Sequence, residues 1–331
     1  MRRVFIAAAA LLGAALFAYS IKVLGFARIQ DAFVRIGWGF GAILLLSAAR
    51  EVVRTVAWTH TVEGPVPLSF RDAFRARLEG EAFNALLPMG MLAGEPMKAA
   101  NVGHRLPFTT ALTALVIEFA FYGVSLIVLF GAGFVALFPS SAVLIIAAMA
   151  AVIVVLLARI GRGSKIIAAQ SVSLEHIAMP LSRLLEKLLR LGDPVLMFAA
   201  RHPDRARRLI ALEVTFQVLA VSEGYLTLML LSPQHVLWSS ALALETVSRA
   251  VTVVFKMLPM RLGVDEAGAA IFADRLGLGS GVGISLALVR RMRVLCWTAV
   301  GIMLVVMRSM RRSGEPPALV GVPARPQPSC V

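Results

Sequence analysis

Charge is scarce in this chain, and negative charge scarcer still: 16% of the 331 residues are charged, with 19 acids against 33 Lys and Arg. So little charge excludes the surface of an ordinary soluble domain. Cysteine is nearly absent. The two present, Cys296 in an apolar run and Cys330 in the C-terminal tail, exclude a disulfide framework and show no metal or redox spacing. The five histidines (His60, His104, His176, His202 and His235) are scattered near the ends of apolar runs, without H-x-x-x-H spacing. Neither G-x-S-x-G nor a phosphate-binding loop occurs, so soluble-type catalysis has no visible machinery. No metal, cofactor or catalytic residue is expected. The weaker alternative is an embedded lipid-modifying enzyme using carboxylates such as Glu79, Glu81 and Glu95.

What the chain has in abundance is apolar length. Hydrophobic residues make up 59% of it, and runs at about 4–24, 36–60, 107–137, 141–158, 209–231, 236–257 and 279–307 approach or exceed the ~20 residues that cross a hydrocarbon core. The net charge of +14 sits mostly between and beside these runs, as the topology signal of a membrane protein does. It therefore points to anionic headgroups rather than nucleic acid. The opening "MRRVFIAAAALLGAALFAYSIKVL" has a basic start but too long an apolar run for a cleaved signal, and reads as a first transmembrane helix.

Arg2 and Arg3 place the N-terminus in the cytoplasm, and the basic segment 159–208 belongs on the same side. Within it, "PLSRLLEKLLR" suits either a helix lying on the inner leaflet or a solvated connector. The tail 311–331 is basic and Pro-rich and is expected to be disordered. Its arginines also favour the inside, whereas seven crossings would put it outside. Either an interrupted segment crosses fully or 279–307 is two pieces. Residues 69–87 form an amphipathic helix, with Phe70, Ala73, Phe74, Leu78, Ala82 and Phe83 on one side and Arg71, Asp72, Arg75 and Glu79 on the other.

That helix leads into "LPMGMLAGEPMKAANVGHR" (87–105), which returns as "LPMRLGVDEAGAAIFADRL" (258–276). Each copy opens on Leu-Pro-Met and reaches a glutamate seven residues after the proline: Pro88 to Glu95, then Pro259 to Glu266. Glycines lie between (Gly90 and Gly94; Gly263), and a long apolar helix with ionisable residues follows each. Proline stops a helix and glycine permits a reversal, so each copy reads as a re-entrant break, with helices restarting at Glu95-Pro96 and Asp265-Glu266. Irregular backbone at membrane depth must be buried in protein or line a wet cavity. Two breaks meeting at one site between related halves is the expected arrangement. The bland alternative is two ordinary turns.

Ionisable residues inside the runs need partners or water. Glu245, Arg249, Thr252 and Lys256 form one helical stripe; Glu118, Tyr122 and Ser125 form another, and Glu213 with Gln217 a third, while Glu223 lies mid-span. A structural reading makes Glu245–Arg249 an intrahelical pair and lets Glu118 and Arg290 join helices. A functional reading makes these groups a polar lining, with Lys98, Arg249, Arg261 and Arg290 as cations for a lipid phosphate. Arg50, Glu51 and Arg54 read as structural or interfacial.

The order E-x-x-N-x-x-x-P-x-G-x-x-x-G-E in "GEAFNALLPMGMLAGEPMKA" (80–99), and "LPMRLGVDEAG" (258–268) followed about 22 residues later by Arg290, resemble the flippase-like transmembrane domain of lysylphosphatidylglycerol synthases and its stand-alone bacterial relatives. The basic triplet Arg290, Arg291 and Arg293 departs from the single arginine expected there. The resemblance implies a lipid-handling membrane protein without the aminoacyl-transferase domain, in a group that includes a hopanoid-associated branch. The expectation is an all-α polytopic inner-membrane protein of about seven or eight spans in one domain (1–310), containing a first motif at 79–105 and a second at 258–276. Its task would be to move a membrane lipid past Glu81, Asn84, Pro88, Gly90, Gly94, Glu95, Lys98, Glu118, Glu245, Arg249, Pro259, Arg261, Gly263, Glu266 and Arg290. With no nucleotide motif, a gradient or a downhill step would drive it. The alternative is a non-catalytic subunit organising lipid-biosynthetic membrane proteins.

Overall fold

The computed structural model describes residues 34–64, 66–86, 91–141, 144, 194–255 and 263–313. The expected first span 4–24, nearly all of 141–158, most of the basic loop, the tail beyond 313, Lys256 and both Leu-Pro-Met openings lie outside these residues. So do the candidate residues Pro88, Gly90, Pro259 and Arg261. Among the described residues every regular element is helical: α1 (Gly39–Thr61), α2 (Phe70–Leu86), α3 (Met91–Asn101), α4 (Phe108–Leu137), α5 (Pro203–Leu231), α6 (Trp238–Val254), α7 (Val264–Arg275) and α8 (Ser280–Ser313).

Local chemistry explains several boundaries. Pro203 stands in the first turn of α5, where its missing N–H costs nothing, and Asp204 meets the positive end of the helix. The helix therefore starts within what reads as polar loop and extends the run expected from 209. α7 starts from Gly263, whose φ of +85° suits a residue without Cβ, and whose N–H donates to Glu266 Oε2 at 2.8 Å. This is the restart expected at Asp265-Glu266. In the first copy α3 begins at Met91, so Pro96 lies inside the helix rather than in its first turn. α8 runs unbroken for 34 residues, which excludes the division of 279–307 into two pieces.

The lengths repeat. Helices of 23, 17, 11 and 30 residues are followed by helices of 29, 17, 12 and 34. The packing repeats with them. α1 packs on its counterpart α5; α2 packs on α8 as α6 packs on α4; α2 packs on α3 as α6 packs on α7. Exchanging α1–α4 for α5–α8 maps this set of packed pairs onto itself. Two close approaches confirm the correspondence: Gly133 of α4 lies against Thr246 of α6, and Gly301 of α8 lies against Leu78 of α2. Each pair is displaced from the other by 168 residues. The absent Cβ is what lets the helices approach at both crossings.

Two apolar clusters cap the bundle. Trp58, Ala73, Ala99, Val102 and Leu115 form one, and Ile43, Leu129, Leu228, Leu244 and Leu286 the other. Between them, halfway along α1, α4 and α5, lies a layer of buried polar residues. Phe119, Val124 and Val128 of α4, and Val214 and Val218 of α5, are exposed on the outside, an apolar face that suits lipid rather than water. By length and composition two described helices, α4 and α5, are suited to cross a membrane. α1 carries Arg50, Glu51 and Arg54 within its length, and α8 carries Arg290, Arg291 and Arg293.

Candidate functional site

The buried layer divides into linked charge clusters. In the first, Glu223 of α5 receives Arg50 of α1 at 2.7 Å and Arg293 of α8 at 2.6 Å. Beside it, Glu245 of α6 receives Arg249 at 2.9 Å and Arg290 of α8 at 2.7 Å. Four arginines thus share two carboxylates. Arg249 also donates to the Tyr122 hydroxyl at 3.0 Å. The Phe216 ring sits among the guanidinium groups of Arg50, Arg54 and Arg249, at 4.8, 5.2 and 5.6 Å from its centroid, close enough for cation–π attraction. The Nε–H groups of Arg50 and Arg293 are buried without an acceptor among the described residues.

The second cluster is evenly balanced, two glutamates against two arginines. Glu118 of α4 receives Arg54 of α1 at 2.6 Å and lies 3.6 Å from Arg77 of α2, which also reaches Glu51 at 3.3 Å. Comparison of the halves shows a sign reversal. In the first, α1 and α2 supply arginines to a glutamate on α4; in the second, α5 and α6 supply glutamates to arginines on α8. Equivalent contacts are kept with the charges exchanged.

The third cluster belongs to the first motif. Lys98 Nζ lies 2.7 Å from both Glu81 and Glu95, and Asn84 donates to the same two carboxylates at 3.3 and 3.5 Å. Lys98 is 2% exposed, whereas the Glu81 side chain is 40% exposed, so the acidic edge opens outward. Gly80 and Gly94 set this geometry. A Cβ on either would strike the other's carbonyl and the Lys98 or Asn84 side chain. Gly94 therefore serves a helix crossing, not the reversal expected from sequence. In the second motif Glu266 pairs with Arg291 at 2.6 Å.

The expected path residues thus fall into separate groups. Glu81, Asn84, Gly94, Glu95 and Lys98 come together, as do Glu245, Arg249 and Arg290. Glu118 joins Arg54 and Arg77, while Gly263 and Glu266 stand with Arg291. Lys98 does not present a free cation to a phosphate; two carboxylates already share its donors. The motifs meet α8 at different levels, since Gly283 lies against Ala269 of α7 and Gly301 against Leu78 of α2. Those contacts are separated by 18 residues, roughly 27 Å of helix axis.

The triplet on α8 resolves by helical angle. Arg290 and Arg293, three apart, face α5 and α6, while Arg291 turns to α7. Sequence reasoning placed Glu223 among the polar groups and Arg293 in the basic triplet, but missed Arg50, Arg54, Arg77 and Phe216 as members of the layer. Charges in the middle of an apolar run were the signal for Arg50 and Arg54; nothing in the sequence marked Arg77 or Phe216. Among the described residues no group of His, Cys, Asp and Glu is arranged to hold a metal.

A family model described as the lysylphosphatidylglycerol synthase TM region matches residues 5–301. The chain belongs to that family, and is an all-α polytopic membrane protein. Comparison with curated proteins and with solved structures gave no match.

Proposed function

We propose that this member of the lysylphosphatidylglycerol synthase transmembrane family moves a lipid with an anionic headgroup between membrane leaflets. One observation carries the reading: four arginines, Arg50 buried and Arg249, Arg290 and Arg293 half-buried, face two buried glutamates at the middle of the helices. Buried charges are normally balanced, because an uncompensated one costs several kcal/mol. A surplus of cations with unused donors is what a phosphate-bearing headgroup would satisfy. The half-exposed Glu81–Glu95–Lys98 cluster offers acceptors to the other end of such a headgroup. The reading also takes the protein to span the inner membrane with its N-terminus in the cytoplasm.

The test is leaflet exchange in proteoliposomes, using headgroup-labelled anionic and zwitterionic lipids with wild type and Glu95→Ala. Faster exchange of the anionic probe, lost in Glu95→Ala, is the expected result. Absence of exchange for every probe in folded protein would overturn the reading and favour a subunit that organises lipid-biosynthetic partners. Chemical conversion of the lipid without exchange would instead mark an embedded enzyme.

A further inference from the structure

Among the described residues, Glu213 of α5 is a buried acid of the polar layer that takes no part in the pairing described above. Its residue is 1% exposed, and neither carboxyl oxygen has a hydrogen-bond donor among the described residues. One turn further along the same face, Gln217 donates its Nε2 to Ser125 Oγ at 3.0 Å, and its Oε1 is likewise buried without a donor. Three acceptor oxygens, four residues apart on one helix face, therefore turn into the protein with nothing to accept. Leaving even one such group unsatisfied costs about 1–3 kcal/mol, and more when it is charged.

The charged groups facing Glu213 are Arg54 from α1, Arg77 from α2 and Glu118 from α4. Arg54 and Arg77 are already held by Glu118 and Glu51. Arg249 of α6 and Arg290 and Arg293 of α8 are engaged with Glu245 and Glu223, the latter 10 residues, roughly 15 Å, further along α5. The 194–201 helix brings apolar Phe198 against Leu209.

We propose that Glu213 is a proton-binding site whose loading and release couple a proton gradient to lipid movement. A neutral carboxyl satisfies what an anion here does not. Its O–H donates to Gln217 Oε1 at the i, i+4 spacing, removing two orphans at once. On release, one proton passes from the carboxyl to water, and the carboxylate then accepts from Arg54, in competition with Glu118. That exchange loosens the α1–α4 ion pair, which belongs to the layer proposed to hold the headgroup. Protonation reverses it. The coupling rests on the transport reading; the proton site does not.

Two measurements keep these apart. Infrared difference spectra of the purified protein, recorded from acidic to alkaline pH, should show a carbonyl band of a protonated carboxylic acid that is absent in Glu213→Gln. In proteoliposomes with an imposed pH difference, one proton per lipid would shift the leaflet ratio of labelled lipid by up to about tenfold per pH unit. Glu213→Gln should bring that ratio to the same value whatever the gradient. A band unchanged by the substitution would overturn the proton site, even if no lipid moves. A band that is lost, with a wild-type leaflet ratio blind to the gradient, would overturn the coupling.

Discussion

Arg50 Nη1 lies 2.7 Å from Glu223 Oε2, an ion pair between counterpart helices α1 and α5. It crosses the centre of the bundle, and Arg293 from α8 closes on the same carboxylate at 2.6 Å. Removing the anion leaves two guanidinium groups buried together. Glu223→Gln should therefore cost about 3–5 kcal/mol of unfolding free energy, read from denaturation in mixed micelles. A cost below about 1 kcal/mol would mean that lipid or water already solvates these arginines.

Gly133 and Gly301 should fail in the same way under substitution. Gly133→Val or Gly301→Val forces apart helices whose backbones meet, at a cost of about 1–3 kcal/mol or more. A Cβ on Gly281 would meet nothing within 4 Å, so Gly281→Ala should stay within about 0.5 kcal/mol of wild type. The thermal midpoint of each purified variant checks this, and equal midpoints for all three would contradict the packing of α4 on α6 and of α2 on α8.

At the second motif, Gly263→Ala places an L side chain at φ +85°, costing about 1–2 kcal/mol. Glu266→Ala removes both the acceptor for the Gly263 N–H and the partner of Arg291. Its effect on the thermal midpoint should exceed that of Gly263→Ala, and hydrogen exchange of the first α7 turn should rise in both variants.

Transport should distinguish the clusters. Arg290→Gln removes a charge-assisted donor worth about 1.5–3 kcal/mol. Leaflet exchange of an anionic lipid should then fall at least tenfold, with a smaller loss for a zwitterionic one. Equal losses for both lipids would assign Arg290 to holding α6 and α8 together rather than to the headgroup.

The motif copies were legible because proline and glycine punctuate sequence sharply, and the matched glutamates at positions 95 and 266 gave the offset. The role of Gly94 was not legible. A glycine beside two prolines reads as a turn, and only its contact with Gly80 makes it a crossing point. Similarly, Arg50 and Arg54 read only as structural or interfacial, because a span tolerates charge when it is paired or near its ends. Their acceptors, Glu223 and Glu118, lie 173 and 64 residues away, beyond any local pattern.

The sequence by itself determined the membrane class and the helical elements, because hydrophobic length and helical period are properties of contiguous residues. It also carried the duplication, through matched breakers. Only the tertiary structure decided which charges neutralise which, that the halves exchange sign, and that Glu213 is left over. Pairing depends on distances of a few ångströms between helices remote in sequence, and a buried charge is defined by its neighbours rather than by its place in the chain.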